Sequence, residues 1–445
     1  MAMNWKQLLS SKRFGLEDYH DPNKHDRTEF QRDYDRLIFS PTFRRLQNKT
    51  QVFPLPDKIF VHNRLTHSLE VGSVGRSLGE IVSRHLVGKY GGDGGPYIGE
   101  LGSIVPVGCL AHDLGNPPFG HSGEKAISSY FSEGPGAVLK EKYGLSDAEW
   151  QDIVNFEGNA NAFRLLTHQF AGHRRGGFVL TYTSLASIVK YPYESTYIAK
   201  LGKPKFGFFQ SEKDDFRLIA DELGIKEVEP SRFVRHPLVF LVEAADDICY
   251  EIMDLEDAHK LKILSTEQTV DLMLGFFDEE RKQRRLQHMD KIQDVNEQIA
   301  YLRSSVVGEL VRECTQVFVK NEEAILDGSF QDSLIKHVCE RVRNAYKTCE
   351  RVSVEKIYRS QSVVDVEISG YNIIYKLIDQ LVNAALAPDK AYSRQLLMRV
   401  PQQYEMSAPA YYHRILAVLD YVSSITDIYA LDLYRQITGI SLPHL

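Results

Sequence analysis

The sequence predicts an all-α fold with minor β hairpins, and three observations lead there. Apolar residues recur at helical spacing over most of the 445 residues, Gly- and Pro-rich breaks interrupt those runs, and the few strand-like stretches are short. Leu65, Leu69, Val74, Leu78, Ile81 and Leu86 mark one amphipathic helix, closed by the break from Gly91 to Pro96. A second helix starts near Gly102 and stops at Gly115-Asn116-Pro117-Pro118, where a C-cap glycine is followed by prolines. A third, long and apolar, covers 237–261. The segments 265–315, 371–387 and 409–436 also read as helical. The stretch from Tyr191 to Gln210 reads as a loop or short hairpin, and Val352 to Val366 as a short β-rich patch.

Composition narrows the function classes. Hydrophobic residues make up 43% and charged residues 25%, as in an ordinary globular protein. A net charge of −7 argues against a surface built wholly for nucleic acid, while leaving room for a local basic groove. The five cysteines, Cys109, Cys249, Cys314, Cys339 and Cys349, form no CxxC pair and are odd in number. A disulfide framework or zinc ribbon is therefore not expected, and a reducing cytoplasm is. The N-terminus lacks the apolar core of a signal peptide, and no run of apolar residues is long enough to span a membrane.

The chemistry starts from His112-Asp113, which closes the second apolar helix. Side by side, the two offer a neutral nitrogen and an anionic oxygen, a mixture suited to Mn²⁺, Fe²⁺ or Ni²⁺ and less well to Mg²⁺. Taken alone, a His-Asp dipeptide is better explained as an exposed helix terminus. Other residues change that. Arg64 and His67 lie three apart on the first helix and share a face, so a cation sits one turn from an imidazole. Such a cation is placed to hold one anionic substrate oxygen while a metal holds another. On the third helix Asp246, Tyr250 and Asp254 fall at i, i+4 and i+8, a polar stripe among apolar neighbours. Buried carboxylates require pairing, hydrogen bonds or metal, so an inward stripe is better explained by a site than by packing. The competing reading turns the stripe to solvent beside Glu243 and Asp247. Spacing leaves Asp246 and Asp247 both open as the acidic ligand; only Asp246 has Tyr250 and Asp254 stacked directly beyond it, which favours Asp246. His121 and Glu124 open a new helix after the Pro-Pro break and again share a face. A histidine held by a carboxylate is suited to general acid or base work near neutral pH.

With these pieces assembled, the sequence resembles the HD superfamily of phosphohydrolases, and more closely its deoxyguanosinetriphosphate triphosphohydrolase family, related to the SAM- and HD-domain dNTPase. The resemblance is dense over 30–262. It rests on Pro41-Thr-Phe-Arg44-Arg45-Leu-Gln47, His62-Asn63-Arg64-Leu-Thr-His67, Ala111 to His121, Phe156-Glu157-Gly158-Asn159-Ala160, Lys190-Tyr191-Pro192 and Glu243 to Tyr250. In the C-terminal third it is weak, apart from Asp420-Tyr421 to Asp427-Ile-Tyr429.

No low-complexity linker divides the chain, and the resemblance implies either a helical HD-domain core over 1–262 with a helical part over 263–445 that completes a nucleotide pocket and an oligomer interface, or one continuous domain. It implies hydrolysis of a deoxynucleoside triphosphate, dGTP by the family's name, to deoxynucleoside and inorganic triphosphate through attack at the α-phosphorus. By position, His67, His112, Asp113 and Asp246 would bind a divalent metal, and His121 with Glu124 would be the catalytic pair. Arg64 and Lys190 would hold phosphate oxygens, and Gln51, Tyr250 and Asp254 the sugar. Val52 stands where the relative has a bulkier apolar residue beside the sugar. Some family members form oligomers and respond to nucleotides or single-stranded DNA. The basic clusters Arg44-Arg45, His173-Arg174-Arg175 and Lys200 to Lys205 are the candidates for phosphate-backbone contact, with solvated surface as the plainer reading. Two alternatives share the ligands: an HD enzyme for a monophosphate or cyclic dinucleotide, and a nucleotide- or nucleic-acid-binding regulator with a degenerate site. Neither needs the whole set quoted above.

Overall fold

Three helices that cross one another carry most of the candidate site, and each is formed for a local reason. The computed structural model describes residues 2–18, 26–53 and 60–441. Helix Arg64–Tyr90 opens on a reciprocal cap, in which the Asn63 side chain accepts from the Thr66 amide and the Thr66 side chain from that of Asn63. Its buried face runs through Arg64, His67, Val71, Val74, Leu78, Val82 and Leu86. Leu69, expected on the apolar face, is instead 43% exposed, because His67 rather than Leu69 turns inward. Helix Leu101–Ala111 is buried at every position except Gly102 and Ser103. It lies close along Arg64–Tyr90 because a Cβ at Gly75 or Gly79 would collide with Cys109 or with the Leu101 carbonyl. Helix Pro237–Lys260 begins with proline at its first position, where no intrahelical N–H bond is lost, and packs across both.

Among the described residues there are 22 α-helices and one antiparallel strand pair, Glu227–Glu229 with Arg232–Phe233, so the all-α expectation with minor β structure holds. The segments read as helical are helical, two of them subdivided, and the β-rich patch and the hairpin need correction. The run 265–315 is three helices, Thr266–Leu274, Glu279–Met289 and Val295–Lys320. Ser265, Asp278 and Asp294 cap their N-termini, and short polar side chains in that role restart a helix despite continuous periodicity. The β-rich patch at Val352 to Val366 is helical: Glu340–Val352 ends there, Ser353–Ile357 forms a π-helical turn, and Gln361–Leu386 follows. Residues 191–210 hold the helical turns Ser195–Tyr197 and Ile198–Leu201 rather than a hairpin. The 409–436 segment divides into Tyr411–Ser424 and Asp427–Thr438, with Thr426 as the second cap.

Two apolar clusters fill the interior. One gathers Arg64–Tyr90, Leu101–Ala111, Pro237–Lys260 and Val295–Lys320; the other gathers His121–Ser132, Gln361–Leu386, Tyr411–Ser424 and Asp427–Thr438. No helix among the described residues is long and apolar enough to cross a membrane. The five cysteines are free thiols, Cys339 exposed and the other four buried.

Candidate active site

His67 and His112 come from neighbouring helices, and nitrogens of both lie within 4.8 Å of each other and of an Asp113 carboxylate oxygen. Asp246 Oδ1 faces the two imidazoles, 3.1 Å from His67 Nε2 and 3.5 Å from His112 Nε2. The four residues named as ligands thus converge. Asp247 lines an adjoining basic cleft with Lys190. His112 Nδ1 donates to the Cys109 carbonyl at 2.6 Å, which leaves the Nε2 lone pair pointing into the cluster. Burial disfavours charge on His112, but Asp113 and Asp246 raise it to about 9, so a cation and a proton compete for one strongly negative spot. Nitrogen and oxygen donors in this arrangement fit a divalent ion.

Arg64 is buried beneath the cluster, its Nη1 2.8 Å from Asp113 Oδ2 in an ion pair without hydrogen-bond alignment. A Cβ at Gly120 would come 2.5 Å from Arg64 Nη2, and Gly120 has φ +55°, so only glycine lets the turn pass over the guanidinium. That turn delivers His121 at the start of helix His121–Ser132. His121 Nδ1 donates to Glu124 Oε2 at 3.0 Å, and the Gly158 amide donates to Glu124 Oε1 at 2.8 Å. The His121 side chain is 77% exposed and borders the cleft with its remaining nitrogen free of protein partners among the described residues. Burial pushes Glu124 up, yet His121 and Lys205 bring it below the usual carboxylate range. Burial and the Glu124 charge push Glu157 the other way. Lys205 Nζ, 2.9 Å from Glu157 Oε2, keeps the two carboxylates compatible.

The cleft enclosing these groups measures about 680 Å³ and is also lined by Gln51, Val52, Lys190 and Tyr250. Lys190 is paired with Glu243 at 3.2 Å, which holds its proton firmly against the effect of burial. The Tyr250 ring stands 6.5 Å from that of His67, edge to face. Asp254 does not line the cleft. It is buried behind Tyr358, whose hydroxyl donates to Asp254 Oδ2 at 2.9 Å, and burial holds it well above the ordinary carboxylate pKa. Among the described residues, Arg64 Nε and Gln51 Oε1 are buried without a hydrogen-bond partner, an unsatisfied donor and acceptor on the wall of one cleft. Sequence reasoning missed Tyr358, and gave neither Glu157, quoted only within a motif, nor Lys205 a place in the site. Lys205 had been grouped with solvated lysines, and its partner lies 48 residues upstream.

Comparison with known proteins extends the likeness beyond these motifs. Residues 336–436 match the family model of the phosphohydrolase-associated domain, within the third of the chain where motif resemblance had been weak. The chain is similar to a deoxyguanosinetriphosphate triphosphohydrolase-like protein of Synechocystis sp., 37% identical over 451 residues, covering 99% of this chain and 100% of the relative. It is 37% identical over 454 residues to a like-named protein of Pseudomonas aeruginosa, again with 99% and 100% covered. A deoxyguanosinetriphosphate triphosphohydrolase of Yersinia pseudotuberculosis is 32% identical over 526 residues, with 98% and 99% covered. Likeness of this extent along the whole chain means that the protein belongs to the deoxyguanosinetriphosphate triphosphohydrolase family.

Proposed function

We propose that the protein is a metal-dependent phosphoric ester hydrolase that converts deoxynucleoside triphosphates, dGTP foremost, to deoxynucleoside and inorganic triphosphate. The single observation that carries this reading is one cleft lined by His112 and Asp113, with His67 grouped behind them, by the buried Arg64 and by the His121–Glu124 pair. The preference for dGTP follows the names of the relatives.

In this reading His67, His112, Asp113 and Asp246 hold a divalent cation, with Mn²⁺, Mg²⁺, Fe²⁺ and Ni²⁺ the candidates. The cation would supply Lewis acidity at the α-phosphate and offset its charge. Arg64, which lines the cleft, lends its guanidinium charge to a phosphate oxygen, and Lys190 exchanges part of its pairing with Glu243 for the triphosphate. His121, with Nδ1–H fixed by ionised Glu124, uses Nε2 to move a proton at the attacking water or the departing 5′ oxygen. Gln51, Val52 and Tyr250 bound the sugar, and Asp254 reaches it only if Tyr358 gives way.

Assembly into a homo-oligomer, a cytoplasmic setting and response to a single-stranded DNA or nucleotide effector belong to the same proposal. The free thiols suit a reducing compartment, and the exposed cluster His173-Arg174-Arg175 suits a phosphate backbone. Incubation with each dNTP and Mn²⁺, resolved by chromatography, tests the reaction. Release of inorganic triphosphate is expected; monophosphate with pyrophosphate, or no turnover, overturns it.

A further inference from the structure

We propose that Asp427, outside the cleft, is a positioning residue that holds both the sugar-side wall and the turn presenting His121. Asp427 Oδ2 accepts from the Thr50 amide at 2.7 Å, and Oδ1 accepts from the Phe119 amide at 3.0 Å. Thr50 precedes Gln51 and Val52; Phe119 lies two residues before His121. One carboxylate, 7% exposed, thus joins two segments distant in sequence that both line the cleft.

Four features argue that this contact sets geometry rather than merely capping the start of a helix. Phe119 has φ +60°, a left-handed conformation that an aromatic residue adopts only when its surroundings impose it. The Phe119 ring also packs against helix Gln361–Leu386 at Gly370, where a Cβ would collide with it. Lys49 closes the same junction from the other side, its Nζ donating at 2.7 Å to both the Asn116 and Ser423 carbonyls. The cap of helix Asp427–Thr438 is already supplied by Thr426, whose side chain accepts from the Tyr429 amide at 3.2 Å. Both Asp427 oxygens therefore serve chain segments far from their own helix. Asn116 in turn donates to Asp113, so the junction touches the metal cluster through one further hydrogen bond.

The kinetic consequences rest on the proposed triphosphohydrolase reading; the structural consequence does not. Asp427→Asn leaves one acceptor for two amides. Amide hydrogen exchange at 49–53 and 116–122 should speed up by about tenfold or more. Metal content should stay at the wild-type level, kcat should fall by about 10- to 100-fold, the scale of a ~1 Å misplacement, and KM should change less. Discrimination of dNTP against NTP should narrow in the same variant, since the Gln51–Val52 wall moves with the turn. Thr426→Ala serves as the control, because it weakens the same helix without touching the junction; it should lower thermal stability and leave kcat within about twofold. Should the asparagine variant fail to fold, Asp427→Glu keeps both acceptors one methylene out of place and should show the same paired defects more mildly. The inference is overturned if kcat falls alike in Asp427→Asn and Thr426→Ala, or if either Asp427 variant keeps wild-type exchange in both segments. If the wild-type protein hydrolyses no dNTP, the proposed function fails, and the exchange comparison alone still decides the role of Asp427.

Discussion

At positions 246 and 247, adjacent aspartates on one helix meet different surroundings. Both line the main cleft, but Asp246 faces two imidazoles, whereas Asp247 makes no such contact and extends into the adjoining basic cleft with Lys190. Asp246→Ala and His112→Ala should therefore lose bound metal and activity together. Asp247→Ala should keep its metal, as read by elemental analysis of the purified protein; a metal-free Asp247→Ala would contradict the choice of Asp246. His121→Ala should keep the metal and lower kcat by roughly 10²–10⁴-fold, the usual contribution of a general acid or base. Residues of this kind were legible in the sequence because their relations are local. Arg64 with His67, His121 with Glu124, and Asp246 with Tyr250 all sit one helical turn apart, and a turn is short enough to read from spacing. Tyr358, Glu157 and Lys205 were not legible, because each acquires its role from a partner that only the tertiary fold brings near: Asp254 for Tyr358, and Lys205 and Glu157 for each other.

At the scale of elements, the helices that carry His67 and Asp246 are joined by a histidine outside the cluster. The His62 amide and Nδ1 both donate to Asp257 Oδ2, at 2.7 and 2.8 Å, and Nε2 lies 3.1 Å from Glu70. Burial alone would lower its pKa, but hydrogen bonds to Asp257 and Glu70 raise it to about 10. A pKa higher in the folded than in the unfolded chain stabilises the protein fully below about 6.5, and that contribution fades as pH rises toward 10. The difference in melting temperature between wild type and His62→Gln should be largest near pH 6 and should shrink steadily to pH 10. A constant difference would show that folding does not raise the His62 pKa, and one that grows with pH that His62 is neutral in the fold. Helix existence was largely legible, since periodicity reports burial directly. Helix boundaries were less so, because Ser265, Asp278 and Asp294 each cap through a single side-chain-to-amide hydrogen bond. The run from Val352 to Val366 misled for a different reason: its β-branched residues favour strands in isolation, and packing against Pro237–Lys260 overrides that preference.

For the whole molecule, the two apolar clusters are tied by a buried charge group, and its removal should be felt far from the cleft. Arg164 on helix Gly158–Thr167 reaches Asp420 on Tyr411–Ser424 through Nε and Nη2, both at 2.9 Å, and reaches Glu212 through Nη1. All three side chains are at most 3% exposed. Such a group adds little over a well-packed apolar replacement, but breaking it leaves uncompensated charge in the interior. Arg164→Met should therefore lower the stability against urea by about 3–5 kcal/mol, the range for stranding buried charges. The triple variant Arg164→Met, Glu212→Gln, Asp420→Asn removes the stranded charges and should recover a large part of that loss. If the triple variant unfolds as early as the single one, the junction depends on the shape of the arginine side chain and its hydrogen bonds instead of on charge balance. Catalysis discriminates as well: neither Arg164 nor its partners Glu212 and Asp420 line the cleft, so below the unfolding transition the triple variant should turn over substrate at close to the wild-type rate.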